Sequence, residues 1–212
     1  MGRELDLIAL PTRCSLLEQV EQHVIDSELL SLVPGYLRQR RRQQRRVPGF
    51  TQGDPDFERL VDAVEELVAA NPMIEQRYCE LDRRFEWLEW LLVRSANDAR
   101  EQQWAEQALR GEAPLSPTAR STQGFLIRST SAHQAGLISQ WLQGLTVDQL
   151  RQQYDPDAMA DADLYKWDQV YNRDETDQPA ALFNVIAEDF TALRQFYRDV
   201  TAHAETVLAV MD

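Results

Sequence analysis

A chain of 212 residues, 43% of them apolar, suits one large domain or two small ones and is too rich in core-forming residues for general disorder. At this length folding buries roughly 70% of the unfolded surface, so neither a metal nor a disulfide is required to hold a core. The formal charge of −13, from 35 acidic and 22 basic residues, turns most of the surface away from nucleic acid and anionic membrane and favours, if anything, a basic partner.

The basic set is lopsided. It contains 21 Arg and one Lys, Lys166, and six of the arginines fall between Arg38 and Arg46. Without those six the remainder carries −19. Cys14 and Cys79 stand far apart and form no disulfide framework, so they read as reduced, buried thiols. Asp6 occupies the position where a myristoylation signal needs Ser or Thr, and no signal-peptide core follows. No apolar run approaches the ~18 residues of a membrane span. These features predict a protein of the bacterial cytoplasm with no membrane association.

In chain order, Leu5–Leu10 is apolar and β-tolerant, and Pro11 stops it, which predicts an opening strand. Thr12 or Ser15 then caps a helix bearing Leu16, Leu17, Val20, Val24 and Ile25 and ending near Pro34-Gly35. Residues 34–53 hold the Arg/Gln-rich stretch and are expected to be an exposed insertion, either a loop or a short solvated helix. Asp54-Pro55 starts a helix with Leu60, Val61, Val64, Leu67 and Val68, closed by Asn71-Pro72. Ile74, Tyr78, Leu81, Phe85, Leu88, Leu91 and Leu92 recur at helical spacing and predict a second helix. A third runs through Trp104 and Leu109 to a glycine cap at Gly111.

Gly124–Arg128 reads as a buried strand. Ser131 with Gln134, and Thr146 with Gln149, have the spacing of capping boxes that open two helices. Asp155-Pro156 begins a short helix, and residues 165–178 are polar and irregular. The last long helix starts near Pro179 and carries Phe183, Ile186, Phe190, Leu193 and Tyr197. The tail at 206–211 suits either a continuation of that helix or a closing strand.

Several short motifs then fall into a known order. Leu81-Asp82-Arg83-Arg84-Phe85-Glu86-Trp87-Leu88 resembles the Leu-Asp-Lys-Arg-Trp-Asp-type helix of the YfbM-like family, a bacterial domain of unknown function. Leu109-Arg110-Gly111-Glu112 resembles that family's Leu-Gly-Glu turn, and Gly124-Phe125-Leu126 its glycine-containing strand. Leu145–Leu150, Tyr154–Met159 and Ala202–Val210 fit its later elements. The chain departs from the family where Tyr165-Lys166 stands in place of Tyr-Pro, and in a longer 34–70 region. The resemblance implies a single α+β domain over residues 1–212, mostly helical, around a small sheet, and tips the tail towards a strand. The expected sheet has about three strands, near residues 4–10, 124–130 and 205–211. The family brings no reaction, cofactor or catalytic residue.

Four groups of residues could carry a function. Six guanidiniums between Arg38 and Arg46 could neutralise phosphates, but no aromatic platform is interleaved and the rest of the protein is acidic, so the balance weighs against nucleic acid. Asp82, Arg83, Arg84 and Glu86 accompany Trp87 and Trp90. Asp82 shares a helix face with Glu86, Arg83 with Trp87, and Glu86 with Trp90, and an arginine beside an indole can hold an anionic ligand. Arg128 and His133 flank the start of a helix after a strand, where a Ser129–Ser131–His133 constellation is conceivable. Tyr165, Lys166, Trp167, Asp168 and Tyr171 set aromatics on a polar loop, as recognition surfaces do. Each group also has a structural reading, as salt bridges, caps or core plugs. No metal-ligand spacing, phosphate loop, dinucleotide fingerprint or nucleophile elbow is present, so neither cofactor nor metal is expected. The preferred reading is a non-enzymatic protein-binding or regulatory module. The alternatives are an enzyme or small-ligand binder with a pocket near Arg83, Trp87, Arg128 and His133, and nucleic-acid contact through Arg38–Arg46. The sequence sets neither the partner nor the oligomeric state.

Overall fold

Alternation along the first strand divides the core in two. In the computed structural model, which describes residues 4–22, 25–41, 55–81, 84–121, 123–175 and 178–211, and only the backbone of 27, 38–41, 75 and 76, strand β1 (Leu5–Pro11) lies inside the sheet. Leu5, Leu7 and Ala9 point to one face and Ile8 and Leu10 to the other, and all five are buried. Both faces are therefore covered by helices, as the period of two in a strand buried on both sides requires.

The face of Ile8 and Leu10 is covered by the early helices. These are α1 (Ser15–Glu21), then a 3-10 turn at Ser27–Leu32, α2 (Val33–Arg41) and α3 (Pro55–Ala70). A second 3-10 turn, Pro72–Gln76, leads into strand β2 (Tyr78–Leu81). The face of Leu5, Leu7 and Ala9 takes α4 (Phe85–Arg94), α5 (Ala99–Arg110), α6 (Ala132–Gly144), α7 (Val147–Gln153), α8 (Pro156–Asp161), the single turn α9 (Trp167–Val170) and the 25-residue α10 (Gln178–Ala202). Strands β3 (Ala113–Pro114), β4 (Arg128–Thr130) and β5 (Glu205–Met211) complete an antiparallel sheet in the order β2-β1-β5-β4-β3.

The fold is α+β and predominantly helical, as expected, but the sheet has five strands rather than about three. The tail is strand β5, paired along its whole length with β1 from Leu5↔Met211 to Pro11↔Glu205. Strand β2 was hidden by spacing. Ile74, Tyr78, Leu81 and Phe85 fall three or four apart, yet they belong in turn to a 3-10 turn, a strand and a helix. Within 124–130 the ladder is carried by Arg128–Thr130, while Leu126 makes only an isolated bridge to Arg120.

The first predicted helix is likewise two. Helix α1 stops at Glu21, and α2 runs through Pro34-Gly35. Pro34 is tolerated there because it is the second residue of α2, where no intrahelical bond needs its missing N–H. Neither predicted cap is used at α1. The Thr12 hydroxyl donates to the Ala204 carbonyl at 2.8 Å and Ser15 to Glu66 at 2.9 Å. The arginine stretch begins as α2 backbone, with Leu37 buried just before it. The side chains of Arg38–Arg41 and all of 42–54 lie outside the described residues.

A buried ion pair ties β2 to β5. Arg77 donates to Glu205, whose side chain is 3% exposed, and the Ala9 N–H donates to the Arg77 carbonyl at 3.0 Å. Removing one partner of such a pair strands a charge in a poorly hydrated site. Among the described residues no helix is long and apolar enough to cross a membrane.

Candidate functional site

Of the predicted site residues, Trp87, Tyr165 and Trp167 come together, while Arg128 bonds to the Gly111–Glu112 turn. Asp82 and Arg83 lie outside the described residues. Arg84 faces α10, with its Nε 3.4 Å from Asp189. Trp87 and Trp167 are buried, their rings meeting edge to face at 4.9 Å. The Trp87 indole donates to the Tyr165 carbonyl at 2.9 Å and the Trp167 indole to the Pro156 carbonyl at 3.0 Å. Both indoles thus anchor the loop from inside the core, and Tyr171 packs on Trp167 at 5.6 Å. Tyr165 is half-buried beneath Lys166, whose ammonium lies 5.5 Å from its ring.

Arg128 and Ser131 meet through Glu112. Arg128 donates to the Gly111 and Glu112 carbonyls at 3.3 and 3.1 Å. The Glu112 carboxylate accepts from the Ser131 N–H and hydroxyl at 3.0 and 2.9 Å. Ser131 caps α6 as expected, but the reciprocal half of the box is missing because Gln134 donates to Gln107 at 2.6 Å instead. Glu112 takes its place. His133 is exposed on α6 and makes no hydrogen bond among the described residues, so Ser131 is engaged by the Glu112 carboxylate rather than by an imidazole base.

A different constellation forms one turn further along α4. Glu86, Glu89, Trp90, Val93 and Arg94 recur at three- and four-residue steps and so share one helix face. That face, with Glu106 and Arg110 of α5 and Leu164 of the α8–α9 turn, lines an open cleft of about 550 Å³. Two hydrogen bonds from the first turn of α4 fix the third wall: Glu86 accepts from the Tyr165 N–H at 3.2 Å, and Trp87 donates to the Tyr165 carbonyl. Left-handed backbone at Asp163 (φ +53°) and Lys166 (φ +56°) then turns Leu164 towards α4.

Charge and apolar surface alternate in this cleft. Trp90, Val93 and Leu164 pack against the core and form its floor. Arg110 grips Glu89 with two hydrogen bonds of 2.5 Å. That bond, and the charges of Glu89, Glu86 and Glu106, push the Arg110 guanidinium above its ordinary range. The Arg94 guanidinium lies 4.6 Å from the centre of the Trp90 ring. Only the Glu86–Trp90 pairing was visible in the sequence. The rest depends on how α4 packs on α5.

Two other depressions flank α10. One, of about 260 Å³, lies against β2 between Arg77, Cys79, Phe196 and Asp199. The other, of about 760 Å³, is bounded by Val147, Arg151, Asn184 and Glu188. Burial, reinforced by the charges of Asp189, Asp6 and Glu80, pushes the Cys79 thiol up to about 12, which leaves it protonated and unreactive near neutrality. Among the described residues no group of three or more His, Cys, Asp or Glu could hold a metal ion.

The fold and cleft define a five-stranded antiparallel α+β domain with an open, acidic-aromatic surface site. The chain belongs to the family described as Domain of unknown function (DUF1877), whose model matches residues 42–210. A solved structure described as a protein of unknown function, YfbM from Escherichia coli, shares the fold, with a TM-score of 0.55 over 99% of each chain at 14% identity. No curated protein matches the chain.

Proposed function

We propose that this protein is a non-enzymatic binding module that holds a protein partner in the cleft between α4, α5 and the Leu164 turn. The observation that carries the reading is the composition of the cleft: an accessible indole and aliphatic floor within a rim of carboxylates, held on packed helices. Rigid aromatic anchors surrounded by polar groups suit docking of a protein segment. Among the described residues the cleft is lined by no serine, cysteine or histidine, and its ionisable groups are carboxylates and arginines. The alternative pocket near Arg83, Trp87, Arg128 and His133 gains no support from Trp87, whose indole is 4% exposed and spent on the loop.

The test is paired affinity capture from the source cell with the native chain and Trp90→Ala as baits. A stoichiometric partner retained by the native chain and lost by the variant is expected. A partner held equally by both, or none recovered in repeated captures, would overturn the reading.

A further inference from the structure

The cleft carries its own example of the chemistry that fits it. Two guanidiniums are already seated there, in the two geometries that distinguish arginine from lysine. Arg94 lies over the Trp90 ring, its guanidinium carbon 4.6 Å from the ring centre, and Arg110 is clasped by both oxygens of Glu89 at 2.5 Å. A planar fork makes both arrangements, whereas an ammonium is a compact, strongly hydrated point charge that makes neither as well.

The two arginines are not held equally. Arg110 has its carboxylate, and its guanidinium also lies 5.8 Å from the Phe85 ring. Arg94 is exposed and forms no salt bridge among the described residues, so the indole alone holds it. An exposed contact of that kind is worth only about 2- to 5-fold in a binding constant. Glu106 is exposed on the facing helix and likewise makes no hydrogen bond or ion pair among the described residues. The cleft therefore presents, within one lining, a loosely covered indole and a carboxylate that makes no hydrogen bond among the described residues, in a protein of net charge −13.

We infer that the partner of this cleft presents an arginine, whose guanidinium displaces Arg94 from the Trp90 face and bonds to Glu106. The inference rests on the proposed docking function and specifies its ligand. Arg94 then acts as an internal competitor that keeps the indole covered until a better-placed guanidinium arrives.

The probes are a blocked Gly/Ser peptide carrying two arginines and its two-lysine counterpart, titrated against the full chain by calorimetry and by the shift of the Trp90 indole N–H resonance. The arginine peptide should bind at least ~3-fold tighter than the lysine peptide. Trp90→Ala should weaken it about 5-fold or more. Glu106→Gln should weaken it, and Glu58→Gln, on the opposite side of the sheet, should not. Arg94→Ala should tighten binding of the arginine peptide more than of the lysine peptide, whereas the one added unit of negative charge alone would tighten both alike. Equal binding of the two peptides, or weaker binding by Arg94→Ala, overturns the inference. If Trp90→Ala still abolishes capture of the cellular partner in that case, the docking site stands and only its arginine ligand is wrong. Should Trp90→Ala fail to fold, Arg94→Ala and Glu106→Gln, both at exposed positions, decide the matter.

Discussion

Gly111 shows how much one position can demand. It ends α5 with φ +78°, and a Cβ built there would lie 2.8 Å from the Cβ of Arg128 and 3.3 Å from its backbone. Both the conformation and the space require glycine. Gly111→Ala should cost about 1–3 kcal/mol, read as a lower midpoint in urea. It should also loosen Arg128, whose guanidinium bridges the carbonyls of Gly111 and Glu112. The buried pair makes a second demand. Arg77→Ala leaves Glu205 charged and almost fully buried, and should destabilise by about 3–5 kcal/mol. Arg77→Ala combined with Glu205→Gln should recover part of that loss in the same denaturation measurement.

Among the elements, α7 gives the clearest link from sequence to energy. Thr146 accepts from the Gln149 N–H at 3.2 Å, and the Gln149 side chain accepts from the Thr146 N–H at 2.8 Å. Thr146→Ala should therefore cost about 1 kcal/mol in thermal or urea unfolding. Helices α3 and α10 were legible for a related reason: Leu60, Val64, Leu67 and Val68, and Phe183, Ile186, Phe190 and Leu193, mark single buried faces without interruption. Strand β2 was not legible because its four residues continued the helical rhythm of their neighbours, and β3 because two exposed residues carry no alternation. The same limit applied to the cleft. Glu86 and Trp90 share a face by arithmetic, but nothing local to Glu106, Arg110 or Leu164 says that they approach α4. The indoles of Trp87 and Trp167 illustrate the converse. Their polar-loop and charged-helix surroundings suggested a surface, whereas their two N–H groups are satisfied by carbonyls within the fold.

For the whole molecule, burial of weak acids sets an alkaline limit. The Cys79 thiol is held up to about 12 by burial first and by neighbouring carboxylates second, and burial also raises the Tyr197 hydroxyl. The ordinary value for such a thiol is 9.0. Below that pH both the folded and unfolded chains keep the proton, and stability is full. As the pH rises from there towards about 12, the unfolded chain ionises first, so stability falls. Urea melts at neutral pH and at about pH 10.5 should show the decline, and Cys79→Ala should lessen it.

The placement of β5 bears on how the protein is made. The strand at 205–211 sits in the middle of the sheet, between β1 and β4, and is the last described element to leave the ribosome. During synthesis β1 emerges first, with five buried-type side chains, yet one of its two neighbours does not exist until nearly 200 residues later. Such distant pairing delays closure of the core and leaves apolar strand surface uncovered while the chain grows. Closure of the sheet accordingly waits on β5, and β1 is a strand whose apolar side chains stay partly uncovered until it arrives.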